Sequence, residues 1–183
     1  EDKLEPGKLM PGATSDGHSV PIYANVDHST PLTGLYAVGA EGIGLYRSEY
    51  LWMTFDREPT EEEQVHAYTA AARAVPEGQP VTIRVLDLGG DKMTKGSAAT
   101  MHKEANPFLG NRSIRYLLRN PEVFRRQLRA ILRASAHGNI QLMYPMVSTL
   151  EELRAANLAL RGCMAELRAE GVPQNESIKR GVM

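Results

Sequence analysis

The sequence has little of what marks secreted and membrane proteins. It contains one cysteine, Cys163, among 183 residues, and only 6% of its residues are aromatic. A single cysteine excludes an internal disulfide framework and a zinc site with several thiolate ligands, which favours a reducing compartment. No apolar run approaches the roughly 18 residues of a membrane-spanning helix, and no basic-then-apolar segment opens the chain. We therefore expect a cytoplasmic protein.

Familiar ligand motifs are also missing. The glycine pair in residues 88–92 fits neither GxGxxG nor GxxxxGK[ST], so we interpret it as an ordinary turn. The five histidines include no His-x-x-x-His pair, and we assign none of them to a metal. Cys163 lies at helical spacing from Leu160 and Leu167, which predicts a small buried hydrophobe.

The overall composition is that of a globular protein with almost no net charge. Hydrophobic residues make up 42% of the chain, enough for one domain with a sizeable core. Its 21 basic and 22 acidic residues give a formal net charge of −1, so no long-range field attracts nucleic acid or membrane. Any charged ligand must be bound locally.

The periodicity of the sequence alternates between strand and helix. Residues 1–19, rich in proline and glycine, predict a linker or tail, and residues 20–183 predict one domain. Strands are predicted at 20–26, 42–50, 81–88 and 140–145, with a fifth apolar run starting at 181. Helices are predicted at 31–38, 60–75, 111–119, 121–136 and 148–170, with capping boxes Thr60/Glu63 and Ser148/Glu151.

This alternation predicts an α/β fold whose parallel strands are joined by right-handed crossovers. Two architectures satisfy it, an open doubly wound sheet or a partial (β/α)8 barrel of the TIM type. A complete barrel takes about 250 residues, so five units would make an incomplete one. The polar segment 93–108 is too long for an ordinary connection and predicts a functional lid.

Two arginines stand at predicted strand ends. Arg84 interrupts an apolar strand and must meet a partner, either a fixed carboxylate such as Asp87 or a ligand anion. Arg47 directly follows the apolar run 43–46. Because ligands collect at the carboxyl ends of strands in both architectures, Arg47 and Arg84 are predicted to converge on one carboxylate or phosphate. Two unrelated structural ion pairs are the alternative.

Two other patterns allow a functional and a structural interpretation. Asp87, Asp91 and Glu49 are candidate Mg²⁺ ligands, although such acidic groups often occur without a metal. Residues 111–133 carry seven arginines and a single acid, which is the footprint of a nucleic-acid-binding module or of a solvated helix surface. The absence of aromatic residues on the basic side favours the solvated surface. Arg112, at a predicted helix start, is a separate candidate for anion binding.

Six runs, in order along the chain, carry a family resemblance. They are GAEGIGLYRSE (39–49), PTEEEQ (59–64), IRVLDLGGDK (83–92), ANPFLGNRSIR (105–115), RRQLRAILRASAHG (125–138) and MYPMVSTLEELR (143–154). Together they resemble Enzyme I of the phosphoenolpyruvate-dependent sugar phosphotransferase system, specifically its phosphoenolpyruvate-binding carboxyl-terminal domain. Pyruvate phosphate dikinase and phosphoenolpyruvate synthase, the alternatives, share a GLYR-like run but typically lack the LGGDK form.

The resemblance implies a (β/α)8 barrel whose mouth binds phosphoenolpyruvate and Mg²⁺. It also implies a homodimeric phosphotransferase in which the phosphoryl group moves to a histidine on a separate domain and then to the carrier protein HPr. By position, Arg47, Arg84 and Arg112 match substrate-binding arginines of the family. Such residues act by holding and neutralising anionic oxygens.

The resemblance further implies that the chain is a fragment. In the family the Mg²⁺ ligands, an acid cysteine and the phosphoaccepting histidine lie outside the matched runs, so we expect no catalytic and no metal-binding residue here. We expect the fragment alone to be without turnover. We also expect it to expose apolar barrel edges that associate with a second copy.

Overall fold

The computed structural model describes residues 10–35, 37, 39–55, 57–88 and 110–183. Within these ranges strands and helices alternate as the sequence predicts. The strands are β1 (Ala24–Asp27), β2 (Ile43–Arg47), β3 (Val81–Arg84), β4 (Ile140–Tyr144) and β5 (Lys179–Val182). The helices are α1 (Glu49–Thr54), α2 (Glu61–Arg73), α3 (Ser113–Arg119), α4 (Pro121–Ala134) and α5 (Leu150–Ala169), with a 3₁₀ turn at Ser135–His137.

The five strands form one sheet in the order β1-β2-β3-β4-β5, and every neighbouring pair is parallel. The α/β prediction is therefore confirmed. A doubly wound sheet reverses its strand order at a switch point, whereas a (β/α)8 barrel keeps strands in chain order. The sequential order fits a partial TIM-type barrel. It places the carboxyl ends of all five strands along one edge.

The core lies between the sheet and the helices outside it. The side chains of β4 alternate, with Ile140, Leu142 and Tyr144 fully buried. On the helix side α4 packs against both α2 and α5. Phe124 of α4 meets the ring of Tyr144 edge-on, with centroids 6.5 Å apart. Cys163 is buried, as predicted, and burial raises the pKa of its thiol to about 11.

Helix starts follow capping chemistry, with one shift from the prediction. The Thr60/Glu63 capping box opens α2 as predicted. At α5 the predicted Ser148/Glu151 box is wrong by one residue. Thr149 is extended and accepts a hydrogen bond from the backbone N–H of Glu152, so Thr149 is the N-cap.

Two local predictions were wrong, and β1 and β3 are shorter than the strands predicted at 20–26 and 81–88. No α-helix forms over the described residues of 31–38: residues 33–35 make a turn in which Gly34 adopts φ +94°, which an α-helix does not accommodate, and Ala37 is in 3₁₀ conformation. The predicted strand 42–50 is shorter: β2 ends at Arg47, and residues from Glu49 begin the helix α1. Within β2, Gly44 is required by close packing, since an added Cβ would lie 2.7 Å from Tyr23 Cβ.

Some sequence predictions fall on other parts of the chain. The predicted lid at 93–108 and Asp91 lie outside the described residues. Near the start of the described chain, Ala13 and Ser19 form an isolated antiparallel bridge. None of the helices in the described ranges combines the length and hydrophobicity that crossing a bilayer requires.

Candidate anion-binding site

One register layer crosses the carboxyl ends of the central strands. Asp27 is the register partner of Arg47, Arg47 is the partner of Arg84, and Arg84 is the partner of Met143. Register partners on neighbouring strands lie about 4.8 Å apart and share a face of the sheet. Strand pairing therefore brings the two predicted arginines side by side at the edge where α/β folds bind ligands.

Arg84 lies between two nearly buried carboxylates. Its Nη2 is 2.5 Å from Glu49 Oε1, and its Nη1 is 2.9 Å from Asp87 Oδ2. The exposed fractions of the three side chains are 10%, 9% and 12%. Of the two alternatives considered for Arg84, a fixed carboxylate or a ligand anion, the structure shows the fixed carboxylate Asp87, and Glu49 is a second one. These pairs fix the orientation of the guanidinium plane.

Arg47 is held more loosely. Its Nη2 is 3.8 Å from Asp27 Oδ2, its guanidinium lies over the Tyr50 ring at 5.2 Å, and 35% of its side chain is exposed. Hydrogen bonds from Ser29 and Thr30 lower the pKa of Asp27 despite some burial, so this carboxylate stays ionised. Of the two strand-end arginines, Arg47 is the more accessible to a ligand.

Arg112 joins the same cluster through Asp87. Its Nη2 is 4.0 Å from Asp87 Oδ1, while Asp87 Oδ2 takes the bond from Arg84. The hydroxyl of the buried Ser113 also donates to Asp87 Oδ1. Ser113 has φ +53°, an uncommon backbone state for a residue other than glycine. Asp87 therefore connects the predicted third arginine to Arg84.

The described cluster keeps donors that lack acceptors. Nε of Arg47 and Nε of Arg84 are both buried and meet no hydrogen-bond acceptor within the described residues. Buried donors without partners are rare in folded proteins. Three arginines and three carboxylates meet here, and the carboxylates orient the guanidinium groups. For Arg47 and Arg84, this arrangement leaves Nε–H without an acceptor among the described residues.

A metal site does not form from the described residues. Glu49 and Asp87, two of the predicted Mg²⁺ candidates, both pair with Arg84. No group of three or more His, Cys, Asp or Glu in the described part of the chain could hold a metal. These residues do not fit Mg²⁺.

The basic helix surface is matched by acids from its neighbours. Salt bridges join arginines of α4 to glutamates just before and at the start of α2 and to glutamates at the end of α5. The pairs are Arg125–Glu166, Arg126–Glu58, Arg129–Glu61, Arg129–Glu166, Arg129–Glu170, Arg133–Glu61 and Arg133–Glu62. This pairing supports the predicted solvated helix surface over a nucleic-acid face, because much of the positive charge already has carboxylate partners.

Acid is expected to weaken this helix network. Hydrogen bonds from Arg133, Arg125 and Arg129 hold the pKa of Glu62, Glu166 and Glu170, respectively, below the ordinary value of 4.5. A carboxyl whose pKa is lower in the folded state stabilises the fold above its unfolded pKa, and this contribution disappears as the pH falls through the folded value. The free energy of unfolding should therefore fall as the pH drops below about 4.5.

Urea unfolding at a series of pH values measures the effect. Arg129→Met should flatten the acid limb of the profile, because it removes hydrogen bonds to Glu166 and Glu170, which help to lower the pKa of both carboxyls. Arg119→Met, an exposed change, should leave the limb unaltered. An acid limb equally steep in Arg129→Met would contradict the assignment to this network.

Sequence reasoning missed several members of the site. Asp27 follows from the strand-end rule once β1 is known to end there. Glu49 was considered only for a metal, because the start of α1 at that position was not foreseen. Ser113 and the buried Gln127, which hydrogen-bonds Ser48 beside Arg47, carry no signal in a single sequence.

Known proteins are similar in sequence to this chain over its whole length. A family model described as "PEP-utilising enzyme, PEP-binding domain" matches residues 2–183. The chain is 46% identical to the phosphoenolpyruvate-protein phosphotransferase of Staphylococcus carnosus over 185 aligned residues, with 100% of the chain and 32% of that protein covered. The proteins of the same name from Priestia megaterium (43%) and Haemophilus influenzae (44%) are covered to the same extents. The chain thus spans about a third of the length of these relatives.

Proposed function

Because the chain belongs to the family of the PEP-binding domain of PEP-utilising enzymes, we propose that Arg47, Arg84 and Arg112 bind phosphoenolpyruvate. The observation that carries the proposal is the register pairing of Arg47 with Arg84 at the carboxyl ends of β2 and β3. The substrate bears a carboxylate and a phosphate, and the planar fork of arginine matches both groups.

The chemical role of these residues follows from their charge. Arg84 is fixed by two carboxylates and presents a rigid guanidinium, whereas Arg47 has an exposed third with which to meet the ligand. In phosphoryl transfer the protein mainly positions the group and neutralises its oxygens. The three arginines would hold the substrate while the bond between phosphorus and the enol oxygen breaks.

We place this chain within a longer enzyme. Its relatives are named phosphoenolpyruvate-protein phosphotransferase, which favours that enzyme over pyruvate phosphate dikinase or phosphoenolpyruvate synthase. In the longer protein the phosphoryl group would move to an enzyme histidine and on to HPr, within a cytoplasmic homodimer. Residues 20–183 would form the first part of its barrel, following a linker at 1–19. Mg²⁺ would be held by residues of that longer protein, and no role of the three arginines depends on it.

Calorimetric titration of the chain with phosphoenolpyruvate tests the proposal. Arg47→Gln removes a charged donor from the most accessible strand-end arginine. Hydrogen bonds to charged groups contribute about 1.5–3 kcal/mol, so affinity should fall at least about tenfold. The matched control is Arg119→Gln, an exposed arginine at the end of α3, which should bind within about twofold of the original chain.

Two outcomes would contradict the proposal. One is absence of phosphoenolpyruvate binding by the unsubstituted chain, and the other is equal binding by Arg47→Gln. A parallel titration with duplex DNA at the same salt examines the alternative class. DNA binding that weakens steeply with salt, without phosphoenolpyruvate binding, would assign function to the basic helices.

A further inference from the structure

Gln127 is a polar side chain in the middle of the core. It lies on α4, its residue is fully buried, and its neighbours along the helix include the buried Leu128 and Ile131. A buried primary amide is costly unless its donors and acceptor are matched. Both the oxygen and the nitrogen of its side-chain amide have hydrogen-bond partners.

The partners of Gln127 lie at the two strand ends that carry arginines. Its Oε1 accepts from the backbone N–H of Leu86 at 3.0 Å, and its Nε2 donates to Ser48 Oγ at 3.0 Å. Ser48 directly follows Arg47, and Leu86 lies two residues after Arg84. A single side chain thus connects the ends of β2 and β3 next to both arginines.

Gln127 provides a hydrogen-bond acceptor just beyond the end of the β2–β3 ladder. The β2–β3 ladder ends with the pair Arg47 and Arg84, because the chain turns into α1 after Ser48. Beyond that point β2 does not continue alongside Leu86, so its backbone N–H donates to the side-chain oxygen of Gln127 instead. Since a backbone N–H can only donate, the amide must present Oε1 to Leu86 and therefore Nε2 to Ser48.

The other side of the amide is also fixed. Nε2 donates a second bond to Tyr68 OH at 3.1 Å, and Tyr68 OH donates to Gln64 Oε1 at 3.3 Å. Gln64 Nε2 in turn donates to the carbonyl of Pro59 at 3.2 Å. Each donor along this buried chain has an acceptor, so Gln127 cannot rotate without breaking several bonds.

We propose that Gln127 is a positioning residue for the anion site: by tying Ser48 to the backbone of Leu86, it sets the spacing and direction of Arg47 and Arg84. The inference rests on the proposed function. Gln127 itself stays beneath the strand ends and acts through the arginines. Displacing a guanidinium breaks its hydrogen bonds to a bound anion, and the loss of one such bond lowers affinity about ten- to a hundredfold. Ordinary core packing without influence on the site is the competing explanation.

The test separates positioning from stability. Gln127→Met keeps the length of the side chain and removes its hydrogen-bonding atoms. The control Leu132→Ala truncates a fully buried side chain of the same helix that makes no hydrogen bonds. Both variants are titrated with phosphoenolpyruvate under conditions in which circular dichroism shows them folded. Affinity should fall about ten- to a hundredfold in Gln127→Met and stay within about twofold in Leu132→Ala.

A second readout needs no ligand. In ¹⁵N-labelled protein, Gln127→Met should shift the Nε–H resonances of Arg47 and Arg84, while Leu132→Ala should leave both close to their original positions. Unchanged resonances, or equal loss of affinity in the two variants, would overturn the positioning role. If the unsubstituted chain does not bind phosphoenolpyruvate, the proposed function fails and these resonances alone decide the role of Gln127.

Discussion

Replacing Arg84 with methionine is expected to lower the free energy of unfolding by about 3–5 kcal/mol. Arg84 is the close cationic partner of two carboxylates whose side chains are only 9% and 12% exposed. Removing the guanidinium leaves the carboxylates of Glu49 and Asp87 nearly buried without their close cationic partner. Asp87 keeps Ser113 as a donor and Arg112 nearby, so the larger share of the cost falls on Glu49.

Urea unfolding measures the loss, and a second substitution identifies its cause. Arg84→Met combined with Glu49→Gln removes the stranded charge and should recover part of the stability, since an uncharged amide is cheaper to bury. Arg119→Met serves as the surface control and should change stability by less than about 0.5 kcal/mol. A loss below about 1 kcal/mol in Arg84→Met would mean that water reaches Glu49 and Asp87 freely.

Truncating the core beneath the site should have a comparable effect by another mechanism. Leu142 is fully buried at the centre of β4, where its register partner is Ile83 of β3. Leu142→Ala should lower the free energy of unfolding by about 2–5 kcal/mol, because it removes transfer energy and leaves a cavity. The exposed Leu158 is the matched control, and Leu158→Ala should cost less than about 0.5 kcal/mol.

Leu142→Ala also separates the fold from the ligand site. Under conditions that keep the variant folded, phosphoenolpyruvate should bind it within about twofold of the original chain, because Leu142 pairs with Ile83 and its side chain points to the opposite face of the sheet from Arg84 and Met143. Equal losses of stability in Leu142→Ala and Leu158→Ala would contradict the described core. Loss of binding in the folded Leu142→Ala variant would show that the core and the arginines are coupled.

The parts predicted from sequence are those with strong periodicity. The alternation of strands and helices gave the parallel α/β fold, and period two located β3 and β4. The helix at 31–38 was wrong because the positive φ of Gly34 overrides a short apolar pattern. Helix α1 was missed because its six residues follow β2 without a turn signal or a side-chain cap.

The candidate site was predictable only in its arginines. An arginine at the end of an apolar strand is visible in the sequence, and strand pairing then brings Arg47 beside Arg84. The contacts of Glu49, Ser113 and Gln127 depend on residues 26 to 79 positions away in the chain, and a single sequence contains no information on such pairings. For Asp87, the pairing with Arg84 was predicted because the two residues are three positions apart, whereas its contact with Arg112 was not predicted.

The most direct test of arginine-mediated anion binding is to observe the arginine Nε–H groups during titration. In the described residues, Nε of Arg47 and of Arg84 are buried donors without acceptors, so their resonances should report a bound anion. Both should shift as phosphoenolpyruvate is added and saturate with one shared dissociation constant, while Arg125 and Arg133 on the helix surface stay unchanged. Shifts confined to those helix arginines, or none at all, would contradict binding at the strand ends.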